Sequence, residues 1–518
     1  MKLDFLKPVV RFLPEVAPPS KPVALKERLI WTAVALVIFF VMYHVYPVGA
    51  IPQTGGQFEF IQIVTASKIG SLITAGIGPI ILASIFLQLF VGAKMIDIDL
   101  SNPEEKKVFT GAQKILALIL CFFESGVYVF SGSVIVQGAA QTGTLPLLGS
   151  LTATMAIVTF QLALGSVILM FIDEVVSKHG LGSGISLFIA AGVSLAVVQG
   201  AIAIFTGYGG IPEQRTVFYA LNEGGANAIP NAIIALLPLL FTVLIFFVVT
   251  YAEGLKVEIP LAFDRFRGFG GKFPIKFLYV SNIPVILASA LLLNLQLWSR
   301  AIVSNSLYLG GADLVKLFVK VDPNGSVTSG IIYFLTPHFY NPLFVGYQTY
   351  LNSFVRVHEL IFPFIGSVFV PEWVHIFTYV TFLCGLCVLF GSFWIETTGM
   401  GPKEVSEQLQ RAGMQVPGFR RDPRIIESVL AKYIPTITIM GSIFVGLLAA
   451  FADLTGALGT GTGILLTVGI LYRNPEVPCY EDVRASAVLR TPELVRSGLQ
   501  KEFDKYTIWP QGMEPATA

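Results

Sequence analysis

Residues 229–251 read IPNAIIALLPLLFTVLIFFVVTY, a run of 23 residues without a charged side chain. A helix needs about 20 apolar residues to cross the hydrocarbon core of a bilayer. Nine further apolar runs of similar length lie near 29–47, 76–93, 115–136, 152–173, 184–205, 279–297, 374–395, 434–452 and 454–472. The sequence therefore predicts an all-α membrane protein with ten transmembrane helices in two sets of five.

The overall composition favours membrane insertion over a large soluble core. Hydrophobic residues make up 54% of the 518 residues, charged residues only 13%, and the mean hydropathy is +0.73. Soluble domains carry about 25% charged residues. Ten buried helices of this kind would need a larger core than one soluble domain provides, so we interpret the runs as membrane spans.

Basic residues between the runs predict the orientation of the chain. If the N-terminus lies in the cytoplasm, the cytoplasmic segments hold 28 of the 34 Lys and Arg residues. Cytoplasmic loops of membrane proteins are enriched in these residues. We therefore expect a multi-pass protein of the cell membrane with both termini in the cytoplasm. Its N-terminal segment, 1–28, lacks the apolar core of a cleaved signal peptide.

Several predicted loops are unusually long. The cytoplasmic loops 253–277 and 396–433 are basic, which the positive-inside rule alone would explain. Their length also favours an anionic partner such as ribosomal RNA, since phosphate neutralisation releases counterions. The candidate binding residues are Lys256, Arg265, Arg267, Arg420, Arg421 and Arg424. In the outer loop 298–373, the apolar stretch 360–370 is too short to span and is expected to graze the surface or re-enter.

Residues that could carry chemistry are sparse in the predicted spans. Glu124 is the only charged residue well inside an apolar run, and Cys384 and Cys387 have C-x-x-C spacing without a second ligand pair. We therefore expect no catalytic residues, no metal and no cofactor. A secondary transporter for a small solute is the main alternative, because two sets of spans and the Gly-Pro break at 75–79 fit one. Such proteins usually carry several buried polar groups along the path.

The segment 58–71 precedes this break and is too short and too polar to cross the membrane. Its polar residues include Gln62, Thr65 and Lys68. On the outer side it would fold back as a short helix into the mouth of a pore, or lie at the surface as a re-entrant turn. The residues themselves leave both alternatives open.

Eight short sequence words carry a resemblance to a known family. In chain order they are TASKIG (65–70), GIGP (76–79), DEVVSK (173–178), GSGISLFI (182–189), VEIPL (257–261), YVSNIPVI (279–286), WIETTG (394–399) and GTGILLT (461–467). The ordered set resembles the SecY family, the channel-forming (alpha) subunits of the Sec protein translocase, and the archaeal form fits best. The resemblance extends from about residue 20 to Arg473.

The resemblance implies an architecture and a set of site residues. Two pseudo-symmetric five-helix halves, 29–205 and 206–472, would surround a central pore whose waist is a ring of aliphatic side chains. The ring residues are Ile77, Ile81, Ile185, Ile189, Ile286 and Leu466. The segment 58–71 resembles the plug of the family, with Phe58, Gln62, Thr65 and Lys68 among its residues.

The resemblance also implies a side exit, the lateral gate, between spans two and three and spans seven and eight. Glu124 and Asn294 match two positions of the polar cluster at this gate. At the third position, where archaeal relatives often have Thr, this chain has Leu82. Residues 473–518 depart from the family pattern and are treated as an atypical cytoplasmic tail.

The expected function is therefore a passive, gated pore that is driven by its partners. It would translocate secretory proteins and release membrane-protein helices laterally into lipid. The implied partners are the small subunits SecE (gamma) and beta, the ribosome with its signal-recognition targeting machinery, unfolded polypeptides with signal sequences, and membrane lipid.

Overall fold

The fold is known from a computed structural model. It describes residues 8, 13–19, 23–51, 67–93, 95–96, 98, 103–138, 149–180, 182–207, 213–222, 228–263, 270–304, 320–321, 327–336, 347–355, 357–362, 366–411, 414–415, 423–459 and 461–472. The tail 473–518 lies outside these residues.

Helices dominate the described residues. In chain order they are α1 (Leu25–His44), α2 (Gly78–Gly92), α3 (Pro103–Phe130), α4 (Leu151–His179), α5 (Gly184–Thr206), α6 (Val217–Asn222), α7 (Ala228–Gly254), α8 (Ile283–Ser304), α9 (Ile331–Leu335), α10 (Tyr347–Ser353), α11 (Glu372–Thr398), α12 (Pro402–Arg411), α13 (Pro423–Thr455) and α14 (Gly461–Tyr472). Each predicted apolar run overlaps one of these helices. Among the described helices, α1, α3, α4, α5, α7, α11 and α13 are long and apolar enough to cross a bilayer, and α2 and α8 are shorter apolar helices.

Two of these helices begin well before their apolar runs. Helix α3 starts at Pro103, and α13 starts at Pro423. Proline is favoured in the first turn, where its missing N–H costs no helical hydrogen bond. Glu104 and Glu105 in the first turn of α3 complement the helix dipole. Hydropathy locates the part of a helix that can lie in lipid, not the point at which the helix begins.

The all-α prediction missed strands in the loops. Strands β1 (Lys256–Phe263) and β2 (Gly270–Lys276) form an antiparallel hairpin, and β7 (Met414–Gln415) pairs with the other edge of β1. In the predicted outer loop, β3 (Lys320–Val321) pairs with β4 (Val327–Ser329), and β5 (Val357–Phe362) pairs with β6 (Gly366–Pro371). The stretch 360–370 is therefore mostly hairpin. Pairing of the two strands satisfies their backbone groups within the loop.

The main hydrophobic core joins the two predicted halves. It contains buried residues of the first half, such as Phe39 and Leu169, and of the second half, such as Val285 and Phe390. A separate cluster forms where β1 and β2 pack against α11, α12 and α13. The helices that carry the candidate site thus share one continuous core.

Candidate functional site

The six predicted ring residues lie in one apolar cluster. Ile77, Ile81, Ile189 and Leu466 are buried members of the main core, and Ile185 and Ile286 are partly buried and pack against it. They come from α2 and the turn before it, from α5, from α8 and from α14. Side chains that are more than 300 residues apart in sequence thus belong to the same apolar core or pack against it.

The start of α5, which carries Ile185, is held by the end of α4. Asp173 Oδ1 accepts a hydrogen bond from the backbone N–H of Ile185 at 2.8 Å. A Cβ atom on Gly184 would lie 2.6 Å from Asp173 Cα, so only glycine permits this approach. The carboxylate satisfies one of the free N–H groups at the helix N-terminus. The segments DEVVSK (173–178) and GSGISLFI (182–189) are thus in direct contact.

Glu174, the neighbour of Asp173, ties the N-terminal segment to the helices. Its Oε1 lies 2.9 Å from Lys114 Nζ on α3 and 2.8 Å from Lys178 Nζ on α4. The same oxygen accepts from the backbone N–H of Val16 at 3.3 Å, and Lys178 donates to the carbonyl of Val16. The ion pairs connect α3 to α4, and the hydrogen bonds of Val16 attach the N-terminal segment to α4.

A second junction fixes the ring residues of α8 and α14. The amide of Asn282 donates to the carbonyl of Leu465, the neighbour of Leu466, and the N–H of Ile286 donates to the carbonyl of Asn282 at 3.2 Å. A Cβ on Gly469 would lie 2.3 Å from Asn282 Nδ2. Sequence analysis did not single out Asn282, although it lies within the word YVSNIPVI.

Only the end of the predicted plug segment is described, since Phe58, Gln62 and Thr65 lie outside the described residues. Lys68 Nζ lies 5.4 Å from the ring centroid of Tyr43 and 5.5 Å from that of Tyr46. These distances fit cation–π contacts. Residues 67–77 form buried turns, and α2 begins at Gly78.

The predicted gate residues are buried on three helices in mutual contact. Leu82 on α2, Glu124 on α3 and Asn294 on α8 are all at most 2% exposed. Asn294 Nδ2 donates to the carbonyl of Ala290 on its own helix, at 2.9 Å. Glu124 Oε1 and Asn294 Oδ1 have no hydrogen-bond partner. Burial of unpaired polar atoms is costly, so these groups weaken the packing around them.

Of the basic candidates, Lys256 at the start of β1 and Arg424 in the first turn of α13 are exposed. Arg265, Arg267, Arg420 and Arg421 lie outside the described residues. The backbone pairs of Ala262 with Gln415 and of Phe263 with Met414 join the two basic loops. Two loops that are distant in sequence thus belong to one unit of structure.

The described cysteines form no disulfide. Cys121 and Cys387 are buried, and Cys384 is partly buried. Within the described ranges, no group of His, Cys, Asp and Glu side chains is arranged to hold a metal ion.

Comparison with known proteins shows which family the chain belongs to. The family model described as SecY matches residues 71–474. The chain belongs to the SecY family. The SecY translocase subunit of Methanocaldococcus jannaschii is 41% identical over 471 residues, which is 90% of this chain and 94% of the relative.

Two solved structures of this family and of Sec61 are similar to the chain along most of its length. One is a SecY structure whose plug domain stabilises the closed state of that translocation channel. Its TM-score is 0.69 at 38% identity, and the match covers 93% of this chain and 96% of the SecY chain. Another is Sec61 in a canine ribosome–channel complex from the endoplasmic reticulum, with a TM-score of 0.68, 37% identity and the same coverage. The chain is therefore a membrane protein with the helical channel fold of SecY and Sec61.

Proposed function

We propose that the chain is the channel-forming subunit of a protein translocase. It acts as a passive, gated pore that moves unfolded secretory proteins across the membrane and releases membrane-protein helices sideways into lipid. The observation that carries the proposal is that all six ring residues, which come from both halves of the chain, belong to the main apolar core or pack against it. Aliphatic side chains offer water and ions no hydrogen bonds, so a narrow ring of them resists wetting.

The same side chains adapt to a passing polypeptide of any sequence, because they make only non-directional contacts. The names of the relatives, a translocase subunit and a ribosome-bound channel, describe neither an enzyme nor a solute transporter. They favour this proposal over the transporter alternative.

The proposed topology has ten spans with both termini in the cytoplasm. Spans 1–5 form the N-terminal half, 29–205, and spans 6–10 form the C-terminal half, 206–472, with the cytoplasmic segment 1–28 before them and the tail 473–518 after them. The helix found in each apolar run supports the count, and the distribution of Lys and Arg supports the orientation.

The plug is assigned to 58–71 and the lateral gate to the contact of α2 and α3 with α8 and α11. Contacts of Lys68 with the tyrosines at the end of α1 would anchor the plug in the closed state. The unpaired oxygens of Glu124 and Asn294 would gain water or polypeptide partners when the gate opens. Both features favour a closed state that can be opened at modest cost.

The proposed partners follow from surfaces and relatives. Exposed apolar side chains on α1 and α7, including Val37 and Phe247, suit lipid and the single spans of small subunits such as SecE (gamma) and beta. The joined basic loops suit the ribosome, which delivers chains with signal sequences through the signal-recognition machinery.

Crosslinking at the waist would test the function directly. The native cysteines Cys121, Cys384, Cys387 and Cys479 are replaced by alanine, Ile286→Cys is introduced, and ribosomes stalled on a secretory chain with one cysteine are added. We expect a disulfide between the chains that depends on an intact signal sequence, because the waist encloses the translocating polypeptide.

A matched variant, Val243→Cys, places the thiol on an exposed part of α7 instead. It is expected to give no such adduct. Equal adducts at the two positions, or none at Ile286→Cys in protein that still binds ribosomes, would reject the proposed path.

The double charge reversal Arg265→Glu and Arg420→Glu is expected to weaken ribosome binding and to flatten its salt dependence. Each lost phosphate contact makes the negative slope of log K against log salt shallower by about one. Binding is measured by co-sedimentation over a series of salt concentrations. Lys107→Glu, on the exposed cytoplasmic start of α3, makes the same charge change outside the loops. If it weakens binding as much per charge, the loops are only topology signals.

A further inference from the structure

Trp298 on α8 contacts aromatic rings on two helices of the other half. Its ring centroid lies 6.5 Å from that of Phe86 on α2, with the planes 14° apart, and 5.9 Å from that of Phe123 on α3, with the planes 76° apart. Stacked and edge-to-face arrangements at such distances are the favourable geometries for aromatic pairs. One indole thus makes both kinds of contact across the interface between α8 and the pair α2 and α3, which we call the seam.

The position of Trp298 in the packing explains how one residue can hold this seam. It packs against the main core and also against the second cluster, which contains Leu293, Leu297 and residues of α3 and α4 such as Tyr128 and Leu162. Among the described residues, the ring contacts between α8 and the pair α2 and α3 all involve Trp298. Separating α8 from α2 and α3 must break both of them.

The indole also carries a destabilising feature. Trp298 Nε1 is buried without a hydrogen-bond acceptor, and a buried tryptophan N–H normally has one. Opening of the seam would expose this N–H to water or to the carbonyl groups of an entering segment. The ring contacts oppose opening while the unpaired N–H favours it, so the closed state is held only moderately.

We propose that Trp298, with Phe86 and Phe123, forms an aromatic clasp that sets how apolar a signal sequence must be to open the lateral gate. The inference rests on the proposed function, because it assigns the seam between α2, α3 and α8 as the gate. A signal helix that enters the seam replaces the two ring contacts with contacts of its own. A strongly apolar signal compensates for their loss, and a weak one does not.

Export of two reporter proteins by the full chain in membrane vesicles tests the clasp. One reporter carries a strong signal sequence and the other a weak one. Trp298→Leu is expected to raise export of the weak-signal reporter about tenfold, since each aromatic contact changes the closed-to-open equilibrium by roughly 2- to 12-fold. Export of the strong-signal reporter should change little. Trp298→Phe keeps a ring at this position and should restore most of the selectivity.

Phe123→Leu provides a second variant that removes a clasp contact from the other side. Phe123 is 52% exposed, so its replacement leaves little cavity. We expect the same direction of effect, and little further effect when it is combined with Trp298→Leu. The matched control is Phe122→Leu, because Phe122 is similarly exposed but contacts Phe160 on α4, within the same half, at 6.3 Å.

The outcomes separate the clasp from the function itself. If the unmodified chain does not export the strong-signal reporter, the proposed function is wrong. If it does, and Trp298→Leu and Phe123→Leu leave weak-signal export unchanged, the clasp is rejected. An equal rise with Phe122→Leu would also reject it, because loss of any aromatic side chain would then produce the effect.

Discussion

Replacement of Glu372 by alanine is expected to lower the free energy of unfolding by about 3–6 kcal/mol, because it removes two hydrogen bonds to a buried carboxylate, each worth about 1.5–3 kcal/mol. Glu372 is the first residue of α11 and is 1% exposed. Its carboxylate lies at the centre of a buried network that fastens the outer loop to this helix. The loss should appear as a lower thermal unfolding midpoint of the purified protein in detergent.

The network has three members besides the carboxylate. Tyr333 Oη on α9 donates to Glu372, 2.8 Å from Oε2, and His375 Nδ1 lies 2.8 Å from Oε1. His375 Nε2 lies 2.8 Å from the carbonyl of Thr336, which ends the α9 segment. Both ring nitrogens of His375 thus lie within hydrogen-bond distance of an oxygen atom. Loss of the carboxylate removes one hydrogen-bonding partner from Tyr333 and one from His375.

Trp373→Ala is the control for this prediction. Trp373 follows Glu372 in the same turn but is 64% exposed, so its replacement should leave the unfolding midpoint nearly unchanged. Glu372→Gln keeps the size and one acceptor and should give an intermediate loss. A Glu372→Ala variant as stable as Trp373→Ala would mean that the network does not fasten the loop.

Glu372 also illustrates what the sequence could not predict. A glutamate beside an exposed tryptophan at the start of an apolar run resembles an ordinary solvated first turn, which the helix dipole favours. Its burial depends on Tyr333, 39 residues earlier, and on a loop in which hydropathy indicates no membrane span. Pairing across such a loop is a tertiary event with no local signal.

The spans were predictable because lipid imposes a strong, local requirement. A run such as 229–251 must become a helix, since its backbone groups can be satisfied only within the segment; it lies within α7. The hairpin of β1 and β2 was missed because it forms outside lipid, where this requirement does not apply. Pairing with β7 depends on residues about 150 positions away.

The site was predictable to different degrees. The unusual burial of Glu124 followed from a count of charges inside apolar runs, whereas the ring residues required the family resemblance, because isoleucine in a membrane helix is ordinary. Asn282 and Trp298 gave no signal of their own. Their roles depend on the carbonyl of Leu465 and on Phe86 and Phe123, which only the fold places beside them.

Gly165→Ala is expected to destabilise the chain by about 1–3 kcal/mol or more through overpacking, and to make the closed channel leak ions. Gly165 lies on α4, and a Cβ atom there would be 2.1 Å from the carbonyl oxygen of Leu72. Leu72 belongs to the buried turns at 67–77, which connect the predicted plug to Ile77 of the predicted ring. A methyl group would push this backbone away from α4.

The turns have little freedom to adapt. The N–H of Leu72 donates to the carbonyl of Val45 at 2.8 Å, and Thr74 Oγ1 both accepts from the N–H of Gly70 at 3.0 Å and donates to the carbonyl of Ser71. Displacement of Leu72 would break these buried hydrogen bonds or move Ile77. Small residues permit such close backbone approach in membrane helices, and here we expect the approach to position Ile77, a predicted ring residue.

Gly385→Ala makes the same change in the middle of α11, where a Cβ would meet no atom within 4 Å. This control should be neutral or slightly stabilising, because alanine is the better helix former. Ion conductance of reconstituted vesicles and thermal unfolding in detergent measure the two effects. If Gly165→Ala melts at a lower temperature without added conductance, the close approach stabilises the fold but does not position the seal. If it behaves like Gly385→Ala in both measurements, the turns at 67–77 are not held against α4 in the membrane.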